Sequence, residues 1–73
     1  MATIVLDTKG LKCPQPILKI AAKMPTMAKG DILQVTANCS TFEDDVRKWC
    51  SRMKKTLLAV NQEGDAKVAL IQF

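Results

Sequence analysis

The stretch Thr3-Ile4-Val5-Leu6-Asp7-Thr8-Lys9-Gly10-Leu11-Lys12-Cys13-Pro14-Gln15-Pro16 passes from a strand pattern to a helix pattern across one cysteine. Thr3 to Asp7 is apolar and β-branched and reads as a strand. Pro14 has φ preset for an opening helical position and lacks an N–H that would be unpaired there anyway. A residue before proline is pushed out of the α region, which suits a cap. The spacing therefore predicts Cys13 at a helix N-terminus, with Pro14 as the first helical residue. Pro16 still falls in the first turn, although it disfavours helical angles at Gln15 and predicts an irregular opening. A free thiol has a pKa of about 8.5, and unpaired N–H groups and the helix dipole lower it. Lys12 and Lys19 add positive charge nearby. The bland alternative is a small packed hydrophobe that happens to start a helix; the two prolines and Gly10 favour the reactive thiol.

Downstream of this joint, apolar residues fall at positions 17, 20, 21, 24 and 28, the stripe of a helix, with Lys19 and Lys23 off it. Pro25 and then Lys29-Gly30-Asp31 punctuate its end. Ile32 to Ala37 alternates as a second strand. Ser40 and Glu43 have capping-box spacing and predict a helix starting just after Ser40. Its stripe is Phe42, Val46, Trp49, Cys50 and Met53, and acids at its start and bases at its end suit the macrodipole. Leu57–Asn61 and Lys67–Phe73 read as strands joined through Glu63-Gly64-Asp65, a connection short enough for an antiparallel hairpin. The order is β-α-β-α-β-β. Right-handed crossovers then give an α/β (α+β) two-layer sandwich: a four-stranded mixed sheet with both helices on one face. Ile17, Ala21, Val46 and Cys50 are expected inside. The 73 residues predict a single domain, 1–73.

Composition excludes several chemistries. There is no histidine, which removes Cys/His zinc sites and a Cys–His catalytic pair. The three cysteines show no CxxC spacing, so neither a metal centre nor a thioredoxin-like reductase is expected, and no cofactor is required. With no secretory signal or apolar run near the roughly 20 residues of a membrane span, the chain is expected to be soluble and cytoplasmic, with its thiols reduced. Net charge is +4, which permits an acidic protein partner. One Trp, two Phe and no Tyr make a base-stacking platform, and hence direct nucleic-acid binding, an unexpected use of that charge.

Leu6-Asp7-x-x-Gly10-Leu11-x-Cys13-Pro14-x-Pro16 resembles the signature of the TusA (SirA-like) family of small sulfur-carrier proteins. Length and element order fit along nearly the whole chain. The resemblance implies a sulfur carrier or sulfurtransferase whose Cys13 accepts sulfane sulfur as a persulfide and passes it to a protein thiol. Gly10, Pro14 and Pro16 would support the motif. It implies a donor such as a cysteine desulfurase or rhodanese-like protein, and an acceptor sulfur carrier. The pathways it suggests are tRNA thiolation, molybdenum-cofactor maturation and dissimilatory sulfur oxidation. Lys12, Lys19 and Lys23, with Lys9, would form the docking surface, although a lysine row is most often a solvated face. The alternative is a non-catalytic basic module that contacts a regulatory protein or RNA, and that would keep its activity without Cys13.

The other cysteines read differently. Cys50 lies on the apolar stripe of the second helix and reads as a packed small hydrophobe. Cys39 ends the second strand. If strands one and two are parallel, Cys13 and Cys39 share one edge of the sheet, which makes Cys39 a candidate second sulfur site or resolving thiol. Cys39-Ser40 and Val46-Arg47 depart from the acidic-Pro and Ile-Pro pairs of many relatives, whereas Asp45 matches the family's acidic position. A first-turn aspartate is more often a dipole or loop-bonding residue than a catalytic one.

Overall fold

The structure, a computed structural model, describes residues 2–12 and 15–73. The elements are β1 (Thr3–Asp7), α1 (Gln15–Lys23) with a 3-10 turn (Met24–Thr26), β2 (Ile32–Ala37), α2 (Phe42–Met53), β3 (Thr56–Glu63) and β4 (Ala66–Gln72). The strand order is β1-β2-β4-β3, with β1 parallel to β2 and the other neighbours antiparallel. This is the expected mixed sheet with two helices.

Alternation along β2 decides which face the helices cover. Leu33, Val35 and Ala37 are fully buried, and their neighbours Ala69 and Ile71 on β4 join them. Ile20 of α1 and Phe42, Val46, Trp49 and Cys50 of α2 complete one cluster with these sheet residues. Both helices therefore pack on the same face, as their stripes require. Ile4, Leu6, Leu57 and Val60 extend the cluster under the edge strands. The opposite face carries the other half of the alternation, and Val5 at 64% and Leu58 at 47% are its most exposed apolar residues. A register shift between Leu57 and Ala59 marks a bulge at Leu58.

Helix ends account for the main departures from expectation. The stripe drawn as far as Ala28 overshoots: α1 ends at Lys23, Met24–Thr26 winds as a 3-10 turn, and Ala28 is exposed. Pro25 is the cause, since it cannot donate to an α-helical carbonyl and disfavours α angles before it. Ile20 is the fully buried residue of α1, and Ile17 and Ala21 are half-buried at its margin. The Ser40–Glu43 capping box does not form. The N-cap is Thr41, without a side-chain cap bond. The Thr41 hydroxyl donates instead to Asp45 Oδ2 at 3.0 Å. The Glu43 carboxylate accepts from Arg47 Nη2 and from Lys67 Nζ, each at 2.9 Å. On α2, Met53 is 36% exposed and ends the buried stripe one turn early. β3 runs longer than the sequence suggests and β4 is shifted one residue toward the turn, leaving Gly64 (φ +62) and Asp65 between them.

Trp49 closes the end of the core away from the β1–α1 joint. Its ring lies 6.2 Å from that of Phe73 at 52°, and Lys55 Nζ sits 5.3 Å over the Phe73 ring. Asp31 ties the same end together. Its Oδ1 accepts from the Ala2 N–H at 3.1 Å and its Oδ2 from the Ala28 N–H at 3.0 Å. Those two bonds, Ala28 first, hold the Asp31 carboxyl below its ordinary value of 3.8. The hydrogen bond from Lys67, then that from Arg47, does the same for Glu43 below 4.5. A carboxyl with a depressed folded-state pKa contributes its full stability above its unfolded value and loses it as pH falls through the folded one. Acid titration of unfolding free energy should therefore show a loss below about pH 4, smaller in Asp31→Asn and in Glu43→Gln. Identical titrations for wild type and both variants would show that these contacts do not stabilise the fold.

Candidate functional site

The β1–α1 turn is built from its own sequence. The Lys9 N–H donates to Asp7 Oδ1 at 3.0 Å, an Asx-type turn that bends the chain off the end of β1. Thr8 is buried, and both its N–H (2.8 Å) and its hydroxyl (2.7 Å) donate to the Thr36 carbonyl. Gly10 has φ +87, a region that an L side chain enters only with strain. No atom lies within 4 Å of where its Cβ would be, so the requirement is conformational. Its N–H donates to Asn38 Oδ1 at 3.0 Å, tying the turn to the loop after β2. The Leu11 N–H then returns to the Thr8 carbonyl at 3.2 Å. Asp7, Gly10 and Leu11 of the sequence signature thus each have a local structural role.

Beyond the turn, the Gln15 N–H donates to the Lys12 carbonyl at 2.8 Å, and α1 follows from Gln15 with Pro16 buried in its first turn. Cys13 and Pro14, and with them the expected cap, lie outside the described residues. Gly10, Leu11 and Lys12 line one wall of an open cleft of about 480 Å³, and Asn38, Cys39 and Thr41 line the other. The cleft lies at the sheet edge where the parallel strands β1 and β2 both end. That edge is where ligands of parallel α/β sheets usually sit.

Of the lysines expected to dock a partner, Lys12 and Lys19 are exposed on either side of the start of α1, and Lys23 is half-buried at its end. Lys12 lines the cleft, and Lys19 borders a shallow groove with Leu11, Gln15, Leu18 and Ala22. Leu18 stands out of the helix at 62% exposure. A leucine one position off an otherwise regular stripe is a readable sign of an apolar surface residue. Asn38 carries no such sign. Its partner is 28 residues away, so no local pattern announces it.

The two described cysteines differ in environment. Cys39 is half-buried, with Sγ 3.7 Å from Thr41 Oγ1, and its carbonyl accepts from the Phe42 N–H at 3.2 Å. Cys50 is 3% exposed, and burial pushes its thiol above the ordinary value. A thiol raised in pKa and shielded from reagent is inert at neutral pH. Alkylation of single-cysteine variants near neutral pH should therefore modify Cys13 well before Cys50. Equal rates would contradict an activated Cys13.

Comparison with known proteins identifies the architecture. The family model described as Sulfurtransferase TusA matches residues 4–72. The chain belongs to the TusA family. It is 36% identical over 64 residues to YrkF of Bacillus subtilis (strain 168), a match covering 88% of this chain and 35% of that protein. It is 36% identical over 63 residues to a protein of Halobacterium salinarum, covering 86% of this chain and 78% of that one. YrkI of Bacillus subtilis is 38% identical over 61 residues, covering 84% of this chain and 81% of its own length. All three are named as candidate sulfur carriers. The chain spans about a third of YrkF but most of the other two. Membership of this family supports a sulfur-carrier role, and among the described residues no helix is long and apolar enough to cross a membrane.

Proposed function

We propose that this chain carries sulfane sulfur as a persulfide on Cys13 and passes it to the thiol of a downstream protein. The observation that carries the reading is the anchored β1–α1 turn. Asp7, Thr8, Gly10 and Asn38 fix the chain up to Lys12, at the mouth of an open cleft beside the start of a helix. The sequence puts Cys13 directly after this anchored turn, and thiol exchange requires a thiol that a partner can reach. Gly10 supports the site through its backbone conformation. Pro14 and Pro16 favour helix entry directly after the thiol.

In the forward step, the Cys13 thiolate attacks the outer sulfur of a donor persulfide and the donor cysteine leaves as a thiolate. In the second step, an acceptor thiolate attacks the outer sulfur now on Cys13, and Cys13 leaves in turn. Each step exchanges one S–S bond for another, so no net redox change occurs and no cofactor enters. Such a relay operates in a reducing, cytoplasmic setting. A cysteine desulfurase or rhodanese-like protein fits the donor role and a second sulfur carrier the acceptor role. Lys12 and Lys19 would speed encounter with an acidic partner face, with Leu18 adding apolar contact between them. Delivery to tRNA thiolation or to sulfur oxidation is compatible with this chemistry.

The test is direct. Incubation with a persulfidated donor should add the mass of one sulfur atom to the peptide containing Cys13, and cyanide or a thiol reductant should remove it. Absence of loading from any persulfide donor, while binding to a partner persists, would instead favour a basic binding module.

A further inference from the structure

We propose that a cationic pocket at the far end of the sheet docks an acidic protein segment bearing one bulky apolar side chain. A partner seated there holds the domain while the β1–α1 turn stays uncovered. The site stands independently of the persulfide chemistry.

The pocket forms where β2 and β3 begin, β4 ends, and both helices have finished, at the opposite end from the cleft beside Gly10. Its volume of about 450 Å³ is that of a ligand-binding cleft. Met24, Met27 and Phe73 give it an apolar wall, and all three pack against the core. Phe73 is pinned in place: its N–H donates to the Asp31 carbonyl at 2.8 Å, and its own main-chain oxygen accepts from the Gly30 N–H at 2.7 Å. Its ring also leans on Trp49. The two methionines are flexible and polarisable, so that wall adapts to a bulky apolar side chain.

Charge fixes the kind of partner. Lys29, Lys54 and Lys55, from two turns far apart in sequence, line the same pocket, and no acidic residue does. Among the described residues none of the three is in an ion pair. Glu43 is committed to Arg47 and Lys67, and both oxygens of Asp31 accept backbone N–H groups. Lys55 Nζ, 5.3 Å over the Phe73 ring, sets a cation directly beside the apolar wall. Several like charges around one apolar cleft attract an acidic, apolar-centred segment and repel a basic one.

Lys54 adds a backbone argument. It has φ +58 at the end of α2, the one non-glycine with positive φ among the described residues. Glycine is the usual occupant of that position, so a lysine there keeps its side chain at a conformational cost. The helix dipole does not demand it, because Arg52 already lies in the last turn. An ammonium at the pocket accounts for the choice.

The experiment titrates the ¹⁵N-labelled chain with the capped peptide Asp-Glu-Phe-Glu-Asp, with the same peptide carrying Ser for Phe, and with pyrophosphate. Amide shifts should centre on Met27, Lys29, Lys55 and Phe73, Trp49 emission should change, and binding should weaken with added salt. The Ser peptide should bind at least ~5-fold more weakly, because the apolar anchor is gone. Lys29→Gln/Lys54→Gln/Lys55→Gln should lose at least ~5-fold in affinity, whereas Lys12→Gln/Lys19→Gln should keep it. Lys54→Gly should weaken binding and raise the urea midpoint, which separates recognition from stability. Circular dichroism confirms that the variants are folded. Shifts centred on Lys12 and Lys19, equal binding of the two peptides, or unchanged binding by the triple variant would overturn the proposal. So would a response to pyrophosphate as strong as to the Phe peptide, or no shift at millimolar peptide.

Discussion

Cys13→Ser should abolish sulfur loading and transfer completely while leaving the fold intact. Serine is close in size and is itself a favoured N-cap, so a helix entry at this position keeps its backbone geometry. A hydroxyl, however, neither attacks a persulfide at neutral pH nor holds a sulfane sulfur. Trp49 fluorescence and the denaturation midpoint should match wild type, because serine preserves a helix entry at this position. Cys50→Ser should behave in the opposite way. It should still load but lose ~1 kcal/mol or more of stability, because a hydroxyl replaces a thiol buried against Trp49 and its neighbours in the core. Transfer that persists in Cys13→Ser would move the chemistry to another thiol or remove it altogether.

Trp49→Ala should be the most damaging single change to stability. Trp49 is 6% exposed, packs beside Phe73 and lies in the shared cluster of helices and sheet. Removing so large a buried ring costs ~3–5 kcal/mol. A chain of this size has a total stability of about 5–10 kcal/mol. Urea denaturation followed by circular dichroism, since the only tryptophan is lost, should show a midpoint reduced by about half or an already unfolded protein. A shift of under ~1 kcal/mol would mean that the Trp49 end of the core contributes little.

Local pattern carried most of the fold into view. β2 reads Ile32-Leu33-Gln34-Val35-Thr36-Ala37, and its buried residues are the ones its alternation marks. The stripe of α2 from Phe42 to Cys50 is buried as written. Periodicity failed where a backbone constraint outranked it: Ala28 continues the α1 stripe, but Pro25 had already ended the helix. The capping box failed because Glu43 has stronger partners elsewhere and the helix takes Thr41, not Ser40, as its N-cap. Glu43 pairs with Lys67 across 24 residues, and Thr41 with Asp45. No window along the chain contains the first of these.

The site divides along the same line. The Leu6-Asp7-x-x-Gly10-Leu11 signature was legible, and its logic is local: an Asx turn at Asp7 and a positive φ at Gly10. Expectation also put Cys39 at the same sheet edge as the motif, which follows from the parallel pairing of β1 and β2. What stayed hidden was the tie between Gly10 and Asn38 and the meeting of Lys12 with Cys39 in one cleft. Those contacts exist only once the sheet has formed. Leu18 was hidden for a different reason: stripe counting rewards residues that face inward, and Leu18 faces outward.

The most direct measurement of the central claim is a single-turnover transfer with isotopically labelled sulfur on the donor, this chain in the middle and a thiol acceptor added last. The account predicts that label reaches the Cys13 peptide before the acceptor, and leaves it at the rate at which the acceptor gains it. Label that reaches the acceptor at the same rate with Cys13→Ser would contradict it.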